Sequence, residues 1–569
     1  MPRRHPLLTS SLIALVGFLT VCPVFMLVLG SFSEGLGAFG RFTLAKYAQA
    51  YTDPAFADIL LNTGVFTIGS ALVATGLALF LAYLNTRTNI PFKPLFGIIS
   101  IIPMMIPHIL FAVSWLLLLN PSNGIINLVL RQVFGLEQSP FNIYSLPGMI
   151  LVEGLLDLPI AYLVLAPAMA SFDVSLEESS KVCGAANLRT LARITLPVLR
   201  PAILASITLV IVRSLASFAV PSVLGIPGRI YVLATHVYQI VATGFAPDYG
   251  LAAAVGMSVL AFSVTLIYVY RHLTAEGERF VTISSRGYRP TVIDLKGAKV
   301  PLLAVVALLS LLLILLPVLV LVYTSLVPYT MVPSGRAFAL MSWKHWTDVL
   351  RDPISLLSLK NSLFLGVGGA TLGVVLSIFV CYTIVKVRTT ASGILESLSF
   401  LSFSFPGIVI GVGFMWFFVR TPLYATIWAL LIGYIATYLP YGLRPLTSAF
   451  IQIHSHLEES SRVCGGGTLY TLRRIVIPLL IPGIVSGWIL MATMFVRELS
   501  LSVVLSRPGT EVLAVQILRF AEDGLWGRLS ALGIMMIVIS TTLVVVASLV
   551  GGKLAKVEAA GSRQLEALG

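Results

Sequence analysis

Glu177–Ile203 reads EESSKVCGAANLRTLARITLPVLRPAI, and Glu458–Ile484 reads EESSRVCGGGTLYTLRRIVIPLLIPGI. The two stretches align without a gap at an offset of 281 residues and share 16 of 27 positions, where ordinary residue frequencies give about two or three. Both are islands of charge in an apolar chain. Of its 569 residues 57% are hydrophobic and 11% charged, against about 25% charged in a soluble domain. A passive connection between apolar segments has no need of matched copies, so the repeated stretch reads as a functional element.

Around the repeat lie many segments of mostly apolar residues, each long enough to cross a hydrocarbon core of about 30 Å. Twelve are expected: 9–31, 59–84, 95–119, 145–169, 198–220, 249–270, 301–324, 362–385, 398–419, 425–447, 479–500 and 529–550. The fold class is an all-α polytopic membrane protein. Further matches divide it in two. The segment from Leu60 parallels that from Leu359, with Asn62 opposite Asn361; Pro107 matches Pro406, and Pro227 matches Pro508. Each half (1–270 and 301–569) then holds six spans, and 271–300 is a polar, basic linker. Six is even, so the halves share one orientation and form a parallel repeat.

The net charge of +13 invites a nucleic-acid reading, but its distribution does not. With both termini in the cytoplasm, 21 Lys/Arg fall in cytoplasmic segments and 12 in external ones, while Arg200, Arg213, Arg444 and Arg497 lie within the spans as bounded, of which Arg213 and Arg497 are the deeper pair. This is the positive-inside bias, which expects both ends and the linker inside and no nucleic-acid partner. The four cysteines, Cys22, Cys183, Cys381 and Cys464, lack metal-ligand spacing and read as small packing residues, not disulfides or zinc ligands. The apolar opening lacks a small-residue cleavage site and reads as a retained first span.

Within the first copy, Ser175 and Glu178 have capping-box spacing, which predicts a short helix starting near Ser175. Gly184 breaks it, Leu191 and Ile194 carry the apolar face of a second short helix, and Pro197 marks entry into the next span. The expected form is a cytoplasmic helix–turn–helix elbow. Its outward groups include Glu177, Glu178, Arg189 and Arg193, and Glu458, Glu459, Arg473 and Arg474 stand in the second copy.

The pattern Glu-small-small, a Gly, then Leu/Ile-Pro resembles the EAA loop of ABC importer permeases of the binding-protein-dependent, type I kind. Here it reads Glu178-Ser179-Ser180, Gly184, Leu196-Pro197 and again Glu459-Ser460-Ser461, Gly465, Ile477-Pro478. Ser replaces the usual Ala in both copies, and Gly466 stands opposite Ala185. The resemblance implies that each elbow is a coupling helix docking on one of two copies of an ABC ATPase subunit. It also implies ATP and Mg on that partner and none on this chain, an extracytoplasmic solute-binding protein, and residence in the bacterial inner membrane. The chain has no Gly-x-x-x-x-Gly-Lys-Ser/Thr loop, so phosphate cradling falls to a partner, and no catalytic or metal-ligating constellation is apparent. Among fused permeases it resembles most the ferric-iron group, through its duplication and the stretch VPSVLGIPGRIYVLATHVYQI. Similar permeases carry polyamines, thiamine, phosphonates or sugar phosphates.

Ionisable groups inside spans are costly and mark pathways by default. Glu153 and Asp157 lie four apart in the fourth span, Arg213 in the fifth, and Arg497 and Glu498 in the eleventh, opposite Ala216 and Ser217. These are the candidate pathway residues, with internal ion pairing as the plainer alternative. Of the rival classes, an ion-driven secondary transporter with twelve spans explains the topology but not the paired elbows. A membrane scaffold has no need of charges inside spans.

Overall fold

The computed structural model describes residues 6–34, 41–93, 96–97, 103, 106–171, 175–242, 247–277, 292–387, 390–402 and 405–566. Much of the expected linker (278–291) and part of the third span (94–95, 98–102 and 104–105) lie outside these residues. Among the described residues, eight helices are long and apolar enough to cross a bilayer, and Leu191–Val198 with Arg200–Leu215 makes a ninth span bent by 64°. The tenth expected span is the single helix Ile427–Gln452, whose tyrosines and two internal prolines dilute its apolar character.

The remaining two depart from expectation. In each half the third span is not one continuous helix: only His108–Leu119 and Gly407–Phe418, 12 residues each, are helical past Pro107 and Pro406. At 1.5 Å per residue each covers about 18 Å, little more than half the hydrocarbon thickness. A proline at the helix start removes no bond the helix needs and fixes the entry angle. Each of these half-helices is buried almost throughout, where neighbours can satisfy the interrupted backbone.

Within the first half, the second span (Pro54–Arg87) packs on the fourth (Leu146–Ser171), and the fifth packs on both and on the sixth. The eleventh span (Ile477–Val496) packs likewise on the eighth, tenth and twelfth. The first span of each half crosses over. Pro6–Ser31 lies against Thr390–Leu401 and Gly407–Phe418 of the second half, and Leu316–Leu326 lies against His108–Leu119 of the first. The crossing uses matched positions. The Ser114 hydroxyl donates to the Pro317 carbonyl at 2.9 Å. At the equivalent Gly413, any Cβ would collide with the Pro23 carbonyl. Small residues at such crossings let helix backbones approach, as membrane packing requires.

On the face opposite the elbows, the matched asparagines have one job. Asn62 Nδ2 donates to the Tyr231 carbonyl at 3.4 Å and Asn361 Nδ2 to the Glu511 carbonyl at 2.9 Å. They tie the buried helices Leu233–Ala242 and Leu513–Glu522 to the starts of the second and eighth spans. His236 and Tyr238 sit on the first of these, and Tyr238 donates to Glu522 of the other half at 3.0 Å.

Candidate functional site

The two elbows have the same local geometry. The first is Ser175–Val182, a turn at Gly184 with φ +80°, and a helix resuming at Asn187; the second is Ser455–Val463, Gly465 with φ +83°, and a helix resuming at Thr468. A left-handed turn residue of this kind favours glycine. Across each turn a hydroxyl pair closes the elbow, Ser180 to Thr190 at 2.9 Å and Ser461 to Thr471 at 2.8 Å. The backbone closes in step, with Ala185 N–H donating to Ser180 O at 3.0 Å and Gly466 N–H to Ser461 O at 2.8 Å. Of the four serines standing where the resembled motif has alanines, Ser180 and Ser461 are therefore the ones that pin the bend.

The outward surface is only partly as expected. Arg189, Arg193, Arg473, Arg474 and Glu459 are exposed and Glu178 is half-buried. Pro197 and Pro478 stand at the entries to the following spans. Glu177 and Glu458, expected to point outward, are buried at 4% and 7% exposure. Sequence reasoning missed the reason, because their partners lie on another span: Arg87 for Glu177 and Lys386 for Glu458. It also missed what the elbows do present. Val182 and Val463, equivalent in the repeat, are each 88% exposed, and Cys183 and Cys464 beside them are exposed too.

The intramembrane charges gather around a cavity of about 600 Å³ between the halves, lined by His108, Glu153, Arg213, Tyr438, Arg497 and Glu498 among others. Asp157 is fully buried behind it and is bound by Arg213 Nε at 2.9 Å and by the Ser214 hydroxyl at 3.1 Å. Glu153 accepts from Ser217 at 2.9 Å. Glu498 accepts from the Leu501 N–H at 2.7 Å and from the Tyr438 hydroxyl, capping the point where the eleventh span ends. Asp157 thus takes the internal ion pair, while Glu498 takes hydrogen bonds and the cavity wall.

The repeat relates these partners crosswise. At the 281-residue offset Glu153 and Asp157 correspond to Tyr434 and Tyr438, and Ser217 corresponds to Glu498. In the first half the fourth span carries carboxylates and the fifth span hydroxyls; in the second half the tenth carries hydroxyls and the eleventh the carboxylate. A carboxylate–hydroxyl contact joins the two spans in both halves with its polarity exchanged, shifted by one turn in the second: Glu498 pairs with Tyr438, the mate of Asp157, while Tyr434, the mate of Glu153, bonds Ser502. The signal was in the sequence, in Tyr434 and Tyr438, but has meaning only once the spans are seen to touch.

Two matched elbows on one face, and a charged cavity between two parallel half-bundles, define a transport permease. The chain belongs to the family of binding-protein-dependent transport system inner membrane components, whose model matches residues 74–275 and 369–556. It is thus the multi-pass membrane subunit of a binding-protein-dependent importer, and not an enzyme in its own right. It is 28% identical over 550 residues to the ferric transport system permease protein FbpB of Actinobacillus pleuropneumoniae, covering 94% of this chain and 76% of that one. To the Fe(3+)-transport system permease protein FbpB 2 of Haemophilus influenzae it is 22% identical, over 95% of this chain and 97% of the other. The spermidine/putrescine permease PotC of Haemophilus influenzae matches 38% of this chain at 24% identity, over 85% of its own length. Among solved structures, a bacterial alginate ABC transporter in complex with an alginate pentasaccharide-bound periplasmic protein covers 50% of this chain and 98% of its own, at 20% identity and TM-score 0.40.

Proposed function

We propose that this chain is the complete translocation pathway of an ATP-driven importer, with its two elbows in the cytoplasm, each docked on one ABC ATPase subunit. The observation that carries this reading is the doubled elbow with doubled exposure: Val182 and Val463 stand bare at the same place in both copies. Such residues suit a protein groove, since an exposed apolar tip on an elbow that also exposes arginines (Arg189 and Arg193 in one, Arg473 and Arg474 in the other) has the makeup of an interface anchor. Both termini and the linker would lie on the same cytoplasmic side, in keeping with the basic bias of those segments. ATP and Mg belong to the partner, since this sequence carries no phosphate-cradling loop; the chain itself holds no cofactor.

The cargo we propose is ferric iron handed over by an extracytoplasmic binding protein. The relatives that match nearly the whole chain are named for ferric transport, and the cavity offers hard oxygen groups at Glu153, Glu498 and Tyr438, the donor type that ferric iron prefers. The test is uptake of radiolabelled ferric iron into proteoliposomes holding this chain, its ATPase and its binding protein. Iron accumulation that requires ATP supports the reading; accumulation of spermidine or putrescine without iron would replace the cargo. Docking is read separately from Cys183 and Cys464. Their alkylation in inside-out vesicles should slow when the ATPase is bound, and equal rates with and without it would remove the elbows from the docking site.

A further inference from the structure

Each elbow's inward-turned glutamate meets a cation at the cytoplasmic end of the second span of its own half. Arg87 ends the helix Pro54–Arg87, and Lys386 lies in Thr383–Val387, the last turn of the eighth span. Arg87 and Lys386 are themselves repeat-mates, 299 residues apart like Pro107 and Pro406, just as Glu177 and Glu458 are 281 apart. In the second half Lys386 Nζ lies 3.0 Å from Glu458 Oε1 and donates to the Ile453 carbonyl at 2.9 Å. In the first, Arg87 Nε lies 3.9 Å from Glu177 Oε1 and Nη2 donates to the Met169 carbonyl at 2.9 Å. There the Thr195 hydroxyl donates to the same Glu177 oxygen at 2.7 Å and completes the joint; Val476 stands at that position in the second half, where the ion pair is correspondingly closer.

Each cation therefore fastens three things: its own span, the end of the span that leads into the elbow, and the first turn of the elbow. Both pairs are buried, with side-chain exposures of 4% and 5% for Arg87 and Glu177 and of 14% and 9% for Lys386 and Glu458. The first joint carries one more attachment. Ile293, where the linker emerges, donates its N–H to the Arg87 carbonyl at 2.9 Å and accepts from Asn89 N–H at 3.1 Å. Asn89 Nδ2 donates to Asp294 at 2.6 Å and its side-chain oxygen accepts from Leu295 N–H at 3.1 Å. The Asn89 amide, the Lys296 N–H and Lys299 hold the Asp294 carboxyl below the usual carboxylate range, so this attachment stays charged near neutral pH. The seventh span begins directly after it, at Lys299.

We propose that Arg87 and Lys386 are the positioning residues of energy coupling, each joining an elbow to its second span as a single lever. The Arg87 joint additionally passes that movement to the second half through Asn89 and Ile293. This rests on the docking of the elbows proposed above. A cation bonded to three elements holds them in one arrangement, and tilting of the elbow by a docked subunit then has to move the second span as well. Stability alone does not account for the pair, since a buried ion pair exchanged for apolar groups is often neutral or stabilising, yet both halves have kept it.

The test uses the complete importer in proteoliposomes and reads cargo delivered per ATP hydrolysed, beside melting temperature and ATPase co-purification. Lys386→Met with Glu458→Met, and Arg87→Met with Glu177→Met, should keep the last two and lower the ratio by roughly fivefold or more, the low end of coupling factors between sites. Lys386→Arg should restore most of it. A wild-type ratio in both double variants overturns the proposal. So does a ratio that falls only in step with melting temperature. If the apolar variants do not accumulate, Lys386→Gln with Glu458→Gln takes their place and is read the same way. Loss of ATPase association by the wild-type chain would sink the docking reading and this one with it; intact association with an unchanged ratio sinks only this one.

Discussion

At the scale of single residues, two of the three candidate pathway carboxylates, Asp157 behind the cavity and Glu498 on its wall, behave differently. Asp157 is fully buried and its charge is answered by Arg213. Removing that partner in Arg213→Met leaves a buried carboxylate uncompensated, which costs about 3–5 kcal/mol. The expected outcome is low abundance and a lowered melting temperature. Asp157→Asn in the same chain should recover much of the loss, because the Ser214 hydroxyl can still donate to the amide oxygen. Glu498 is held by the Leu501 N–H at Oε1 and by the Tyr438 hydroxyl at Oε2; a glutamine oxygen accepts the first, and its amide N–H can donate to the tyrosine oxygen in place of the second. Glu498→Gln should therefore keep abundance and melting temperature while changing transport or its ratio to ATP hydrolysis. Unchanged transport in a stable Glu498→Gln protein would remove it from the pathway.

At the scale of the element, the elbow depends on one backbone conformation. Gly184 and Gly465 sit at φ +80° and +83°, and beyond the adjacent residues nothing lies within 4 Å of where a Cβ would stand. Space is not the obstacle; conformation is, at about 1–2 kcal/mol for a left-handed L-residue. Gly184→Val or Gly465→Val should thus leave the spans in the membrane but unseat the bend that the Ser180–Thr190 and Ser461–Thr471 contacts close. Asparagine, which visits this region more readily, should be tolerated at both positions. The measurement is ATP-driven uptake normalised to the amount of protein in the membrane. Equal uptake by the Val and Asn variants would show that the bend is not needed.

At the scale of the whole molecule, the crossed first spans make the halves interdependent. Pro6–Ser31 is buried against the second half and Leu316–Leu326 against the first, and Tyr238 and Glu522 join them on the opposite face. Residues 1–277 and 292–569 expressed as separate chains should therefore co-purify, with the Asn89–Ile293 contacts formed between chains. Failure to associate would show that the linker, not the crossing, holds the halves. Sidedness is read with an impermeant thiol reagent on sealed cells. Val292→Cys should be protected and Ser334→Cys labelled, in a background from which the native cysteines are removed. The reverse pattern would put the elbows outside.

The duplication, the parallel sense of the halves and the elbow are legible along the chain alone, because they are written in local pattern. Two matched polar stretches, an even number of apolar segments between them, and a glycine where each elbow turns left-handed are all legible as runs and spacings along the chain. The sequence even marked Asn62 and Asn361 as equivalent, though not what they hold. What only the tertiary structure decided was every feature that depends on which spans touch. Apolar composition reads the same whether a span is continuous or broken at Pro107 and Pro406, so the interrupted third spans looked whole. Nothing near Glu177 or Glu458 tells which way they face; that is set by Arg87 and Lys386, brought in from another helix. The polarity exchange between Glu153–Ser217 and Tyr438–Glu498 likewise exists only across a packed interface. Charges in an apolar interior must find partners wherever the fold supplies them, and the fold supplied them from far along the chain.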